Sequence, residues 1–418
     1  MIILRIALRE FSDFEVAFAA QIAAFHKLRP DIDIHAVPLN LEKLHQELLT
    51  EAGLTSGRWD MGMLVTDWLA DVVAAGAIEN LSPYMAAAPL PDWPSGWAAS
   101  ILEPLNFDGS YYCIPWHDGP ECLIYRSDLF RSAKEQAAFR STYGYDLEPP
   151  RTWKQFEDVA RFFTRPEQGL YGTAFACYPD GHNTLYDFAL QVWSRGGEFY
   201  DRSGSPDLVT SQAAAALDYY RRIVQDATVC HPASIDLDSV QCGNTFLAGS
   251  VAMMVNWFGF AARAGRAGSS LNERVSLAPI PCSEGLSPIS LSVFWTIAIA
   301  SGTEHKQAAY DFLRFLAQAA QDREVVRHGV VGVRLSTWRD LEVQSTIPAF
   351  CKIEEISRGA RRLPRTPSLP EFADIVNKII ERSLRTSEPS ESILRWAQAI
   401  ALEKHIRFQR ESAQTLDT

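Results

Sequence analysis

The stretch "WDMGMLVTDWLADVVAAGA", Trp59 to Ala77, joins two apolar runs of different character across a polar break. "WDMGMLVT" reads as a strand. "DWLADVVAAGA" reads as a helix opening at Asp67, a residue type that caps helix N-termini. Two earlier units have the same order. "MIILRIAL" (Met1–Leu8) is a strand, followed by the helical stretch "SDFEVAFAAQIAAFHKL" (Ser12–Leu28), with Ser12 as N-cap and Phe18, Ile22 and Phe25 on one face. "IDIHAVPL" (Ile32–Leu39) is the second strand, and "LEKLHQELLTEAG" a helix ending at Gly53. A strand–helix alternation repeated three times predicts a parallel sheet with helices on both faces. Ligands of such sheets sit beyond the carboxyl ends of the strands. Here those ends are Arg9-Glu10-Phe11, Leu39-Asn40 and Thr66-Asp67-Trp68.

At 418 residues the chain is longer than one domain usually grows, so two domains are expected. Hydrophobic content of 47% and charged content of 22% fit a globular protein with a sizeable core. With 39 basic and 51 acidic residues the net charge is −12, which disfavours nucleic acid or an anionic membrane surface as partner. The 11 Trp, 13 Tyr and 22 Phe are compatible with a cleft lined by flat rings. The seven cysteines show no Cys-x-x-Cys pair, so no metal site and no cofactor are expected, and most should pack as small buried hydrophobes. No apolar run is long enough to span a bilayer, and the N-terminal residues do not form a signal peptide.

Further along, "CIPWHDGPECLIYRSDLF" (Cys113–Phe130) reads as strand, break, strand. "PPRTWKQFEDVARFFT" is a helix capped by Thr152, "NTLYDFALQVWSRGG" a helix stopped by Gly196-Gly197, and "FLAGSVAMMVNWF" a helix end and strand. "SVFWTIAIA" is strongly β-like, "EHKQAAYDFLRFLAQAA" is amphipathic, and two helices follow from Leu369. No low-complexity linker separates these segments, so the domains are expected to share chain crossings.

Four of these stretches, in this order, resemble family 1 of the extracellular solute-binding proteins, the sugar-binding subunits of bacterial ABC importers: "WDMGMLVTDWLADVVAAGAIENLSPYM", "YYCIPWHDGPECLIYRSDLF", "TFLAGSVAMMVNWF" and "SVFWTIAIASGTEHKQAAYDFLRFLA". The resemblance implies an α/β, two-lobe periplasmic-binding-protein-like fold of type II, each lobe a mostly parallel sheet flanked by helices and discontinuous in sequence. Lobe one would comprise residues 1–113 and 297–335, and lobe two 117–292 and 336–418, with crossings near 114–116, 293–296 and 336. It also implies hinged closure on a ligand, a monomer, delivery to ABC permease subunits, and a periplasmic location. A leader is then expected upstream, with a cytosolic sensor as the alternative.

A sugar needs carboxylates or amides for its hydroxyls and aromatic faces for its C–H side. Family positions carrying both kinds give the candidate ligand-binding residues: Arg9, Glu10, Phe11, Asp67, Trp68, Trp116, His117, Asp118, Asn183, Tyr186, Asn256, Trp257, Trp295 and Arg334. Each has a structural alternative. Asp67 and Asn183 suit helix caps, Trp68, Tyr186 and Trp295 suit core, Arg9 and Glu10 suit a mutual ion pair, and Asp118-Gly119-Pro120 is a turn signature. Trp257 is preferred over Trp193, whose spacing looks like core. Arg334 lies where relatives carry a Pro-bearing loop that this chain lacks.

The leading expectation is therefore a non-enzymatic binder of a small carbohydrate. A sugar acid, polyol, polyamine or glycerophosphate-type solute is the second reading, in which Arg9 and Arg334 would favour an anion and Glu10, Asp67 and Asp118 a neutral or cationic ligand. A hydrolase built on His117, Asp118 and Cys122, or on the carboxylates Glu10 and Asp118, is the third. It lacks every common catalytic motif, and neighbouring side chains of an extended segment point opposite ways.

Overall fold

The computed structural model describes residues 1–179, 183–266, 268–364 and 369–416, with side chains described to 405. Eight main strands follow the chain: β1 (Ile2–Arg9), β2 (Ile32–Leu39), β3 (Met61–Val65), β4 (Cys113–His117), β5 (Glu121–Arg126), β6 (Met253–Trp257), β7 (Val275–Ala278) and β8 (Trp295–Ile299). Two compact units result, both discontinuous. The first holds Met1–Pro120 and Ser292–Arg358. The second holds Glu121–Leu291, Gly359–Arg361 and the two last helices, Leu369–Arg385 and Ser390–Leu416.

In the first unit the sheet order is β2-β1-β3-β8-β4. β1 pairs in parallel with β2 and β3, as the repeated strand–helix alternation predicts, while β8 runs antiparallel to both β3 and β4. The central strands are apolar on both faces: Met61, Met63, Leu64, Ile297, Ala298 and Ile299 are fully buried. Helix Ser12–Leu28 lays Phe14, Phe18 and Phe25 onto this core. Its N-cap is Phe11, and no side chain caps it, so Ser12 does not play the expected role. The third helix also starts late, at Leu69, because Thr66–Trp68 form a 3-10 turn; Asp67 sits inside that turn.

The second unit contains a three-stranded sheet, β6-β5-β7, that is antiparallel throughout. This corrects the expectation of a mostly parallel sheet in each lobe. Parallel pairing among the described residues of this unit is confined to the short ladder Ser290–Leu291 with Ala360–Arg361 and the single bridges Tyr171–Val251 and Thr173–Cys230. Strongly amphipathic helices surround it. Trp153–Phe163 begins with a capping box in which Thr152 accepts from Gln155 N–H and Gln155 answers to Thr152 N–H. Its carbonyl at Ala160 approaches so closely that a Cβ on Gly172 would lie 1.8 Å from the oxygen, so only glycine fits there.

A short stretch from Arg362 returns to the first unit, and the main unit boundaries fall at 120/121, 291/292 and 358/359. The last differs most from the expected crossing at 336. Residues 336–358 stay with the first unit because Trp338, 1% exposed, donates its indole N–H to Gly332 O at 2.7 Å, and Arg339 pairs with Glu354 at 2.8 Å. All seven cysteines are free thiols, six of them buried, and Cys351 is exposed. Among the described residues no helix is long and apolar enough to cross a membrane, and no three His, Cys, Asp or Glu side chains form a metal-holding group.

Candidate functional site

In the first unit the ends of β1 and β3, the end of β4 and the start of β8 converge. Trp295 opens β8 opposite Val65 on one side and His117 on the other. The register slips between Trp295 and Thr296, a bulge that leaves Trp116 as the extra residue of β4. The bulge separates two neighbouring rings. Trp116 turns inward, 3% exposed, with its indole N–H on Gln21 Oε1 at 3.0 Å and its ring against Phe18. His117 remains part-exposed, 4.8 Å from the Phe14 ring.

Phe14 is the hub of these rings. Its centroid lies 5.1 Å from Phe11, 5.1 Å from Trp116 and 6.5 Å from Trp295. Trp295 continues to Trp68 at 6.1 Å, and Trp68 to His45 at 5.1 Å. The edge-to-face geometry throughout is the arrangement that ring quadrupoles favour. Sequence reading missed Phe14 and His45. Phe14 was detectable, since it continues the Phe18–Phe25 face by one turn toward the end of β1.

The polar groups here are few and fixed. The Val331 N–H reaches His117 Nδ1 at 3.1 Å, while Val331 O accepts from Asp118 N–H at 3.4 Å. Nδ1 also lies 3.2 Å from Val331 O, so it faces both backbone groups of Val331 and its role follows the tautomer. Burial pushes the His117 pKa down to about 4, which keeps the ring neutral at pH 7. Asp118 is fully buried, neither carboxylate oxygen has a partner among the described residues, and burial raises its pKa to about 7. Arg9 donates from Nη1 to Glu10 O at 3.0 Å rather than to its carboxylate. Glu10 is exposed, and Phe11 and Asp67 are half-buried.

Arg334 is not placed as expected. Its guanidinium is 1% exposed and lies 4.3 Å over the Trp97 ring. It donates to Ala317 O at 2.5 Å and Pro91 O at 3.2 Å, and pairs with Asp92 at 2.5 Å. A loop lacking the family proline turns this arginine into the unit's own interior, where two backbone carbonyls and the Asp92 carboxylate hold its terminal nitrogens while Nε has no hydrogen-bond partner among the described residues.

The second unit brings together another set at the start of β5. Glu121 is paired across the sheet with Trp257, and Cys122 with Asn256. Side chains alternate along a strand, so Asn256 must face away from Trp257. Accordingly Asn256 donates to Ser239 O at 3.1 Å and accepts from Trp257 N–H at 2.7 Å. It is a structural residue, contrary to expectation. Trp257 meets the edge of Tyr186 at 5.6 Å and 86°. Tyr186 and Asn183 lie in the buried first turn of helix Asn183–Trp193. Trp193, at the far end of that helix, is 4% exposed under Arg361.

Asp187 follows Tyr186 and accepts from Tyr220 O–H at 3.0 Å. Glu121 and Asp187 are only 4% and 8% exposed. Burial, then the Asp187 charge, hold the Glu121 carboxyl well above the usual carboxylate range. Neither acid was picked from sequence. Glu121 looked like the first residue of an apolar strand, and Asp187 like part of a core helix.

The comparisons agree with this architecture. The family model described as bacterial extracellular solute-binding protein matches residues 10–323. A mannitol-binding protein of Pseudomonas aeruginosa is 23% identical over 397 residues, spanning 90% of this chain and 86% of that one. Among solved structures, the maltose-bound MalE3 of T. maritima superposes with a TM-score of 0.84 at 20% identity, covering 96% of this chain and 99% of the other. A ribitol complex of an ABC transporter solute-binding protein from Agrobacterium radiobacter K84 gives 0.84 at 23% identity, covering 96% and 98%. These likenesses establish the two-lobe type II fold.

Proposed function

Because the chain belongs to the bacterial extracellular solute-binding protein family, we propose that it captures a small neutral sugar or polyol and delivers it to the permease of an ABC importer. Its place of work is the periplasm, and it acts as a monomer. The observation that carries the ligand class is the ring series of the first unit. The half-buried Phe11 and Trp295, backed by the buried Phe14 and Trp68, suit the C–H faces of a sugar or polyol. The names of the relatives support this reading, since they bind mannitol, maltose and ribitol.

The family consists of binders, and the residues that suggested hydrolysis support binding better. Nδ1 of His117 is engaged by the Val331 backbone, which ties the ring to the fold rather than to a reacting group. Within the second reading, a non-sugar solute, the anionic branch loses one of its two arginines with Arg334 turned inward. Thermal melting with maltose, D-mannitol and ribitol tests the proposal. A ligand at 100 times its Kd adds about 2.7 kcal/mol to the bound form and raises Tm by a few degrees. A melt indifferent to all three, and to a wider panel of neutral sugars, would sink it.

A further inference from the structure

Two buried N–H donors of the first unit have no acceptor among the described residues, and their side chains stand together. Trp97 and Arg334 face each other as an isolated antiparallel bridge, so both side chains leave the pair on the same side. The guanidinium lies 4.3 Å over the indole, and both residues are buried. The terminal nitrogens of the arginine are engaged, Nη1 on Ala317 O and Pro91 O and Nη2 on Asp92. Arg334 Nε and Trp97 Nε1 are buried without a hydrogen-bond partner. Both residues line one cavity of about 10 Å³, with Gln21, Trp116, Ala317 and Asp322 also in its wall. That is the space one water molecule needs and little more. The wall offers acceptors too. Gln21 Oε1 takes the Trp116 indole N–H at 3.0 Å, Ala317 O takes Arg334, and each of these carbonyl oxygens has a second lone pair.

We infer that Trp97 Nε1 and Arg334 Nε bind one internal water, and that this water holds the segment Val330–Arg334 in place against His117. A water accepts two hydrogen bonds and donates two, which matches two donors facing carbonyls with lone pairs to spare. A halide could accept from both donors, but it would donate nothing to the carbonyls and would share the cavity wall with Asp322. The segment is what connects the cavity to the candidate site. Asp322 accepts from Val333 N–H at 2.8 Å and from Arg334 N–H at 3.2 Å, and Trp338 donates to Gly332 O at 2.7 Å. Next along the segment, Val331 faces His117 Nδ1 with its N–H at 3.1 Å and its carbonyl at 3.2 Å. The same carbonyl accepts from Asp118 N–H at 3.4 Å. Anchoring Arg334 therefore anchors the backbone on which His117 rests, whichever solute the protein carries.

A crystal structure of the whole chain, at a resolution that shows ordered water, tests the site without any substitution. One water is expected within about 2.7–3.2 Å of both nitrogens. Crystals grown with bromide in place of chloride should show no anomalous peak there. A bromide peak, no density between the two nitrogens, or either nitrogen paired with a protein acceptor instead would overturn the inference. Trp97→Phe keeps a ring under Arg334 and removes one donor. In that variant, hydrogen exchange at the Val331, Val333 and Arg334 amides should quicken by about tenfold, while the β1 amides keep their rate. A packing defect alone would quicken the Trp93 amide as much, because the Trp93 ring lies 5.2 Å from Trp97. Equal quickening at Trp93, or unchanged exchange at the three segment amides, would overturn the holding role.

Discussion

At the start of β8 and the end of β4 the first unit gathers rings: Phe11, Phe14, Trp295 and Trp68 in one edge-to-face series, with a neutral His117. At the start of β5 the second unit presents acids, Glu121 and Asp187, behind a single ring pair. The two surfaces also differ in how they are built. The rings sit on a mixed sheet with a parallel core, where a bulge at Trp295 sorts Trp116 inward from His117. The acids sit on an antiparallel sheet, where plain alternation sorts Asn256 away from Trp257. The contrast teaches that the aromatic and the acidic clusters belong to two separately folded units, and each can be perturbed on its own.

The strongest expected effect concerns pH. Asp118 is a buried acid whose folded pKa, about 7, is raised, so its contribution to stability is present at low pH and lost as pH rises toward 7. His117 is a partly buried base whose folded pKa, about 4, is depressed, so its contribution is present above its usual pKa and lost as pH falls toward 4. The two slopes oppose each other, each worth roughly 3–4 kcal/mol at full extent. Relative to the parent, Asp118→Asn should gain stability from pH 4 to 7, and His117→Gln should gain it from pH 6.5 to 4. Parallel denaturation profiles would show that neither group carries its charge change into folding.

Next in size, Arg334→Ala should lower stability by about 3 kcal/mol, through lost charge-assisted hydrogen bonds to Ala317 and Pro91 and lost stacking on Trp97. Ligand affinity of the folded fraction should not move. A large loss of affinity at unchanged stability would return Arg334 to the site. Smaller again, Trp295→Ala in the first unit and Trp257→Ala in the second should each weaken binding of a neutral ligand by about tenfold, from lost ring contact. If only one of them does so, recognition belongs to one surface.

The fold was legible because it is written in periods and in order. The alternation through Ala77 gives the parallel strands β1, β2 and β3, and the four family-like stretches give the rest. What sequence did not reveal depends on neighbours remote along the chain. Glu121 and Asp187 are 66 positions apart and become a pair only when β5 lies beside helix Asn183–Trp193. Arg334 could be assigned only once Trp97, Ala317 and Asp92 had assembled around it. Asn256 was the one avoidable error, since adjacency to Trp257 in a strand already puts the two on opposite faces.

The most direct test is titration calorimetry of the chain with maltose, D-mannitol and ribitol, repeated for Trp295→Ala and Trp257→Ala. The account predicts that at least one of these neutral compounds binds at one molecule per chain, and that substitution in either unit weakens it by about tenfold or more. Absence of binding by all three, or an affinity indifferent to both substitutions, would contradict it.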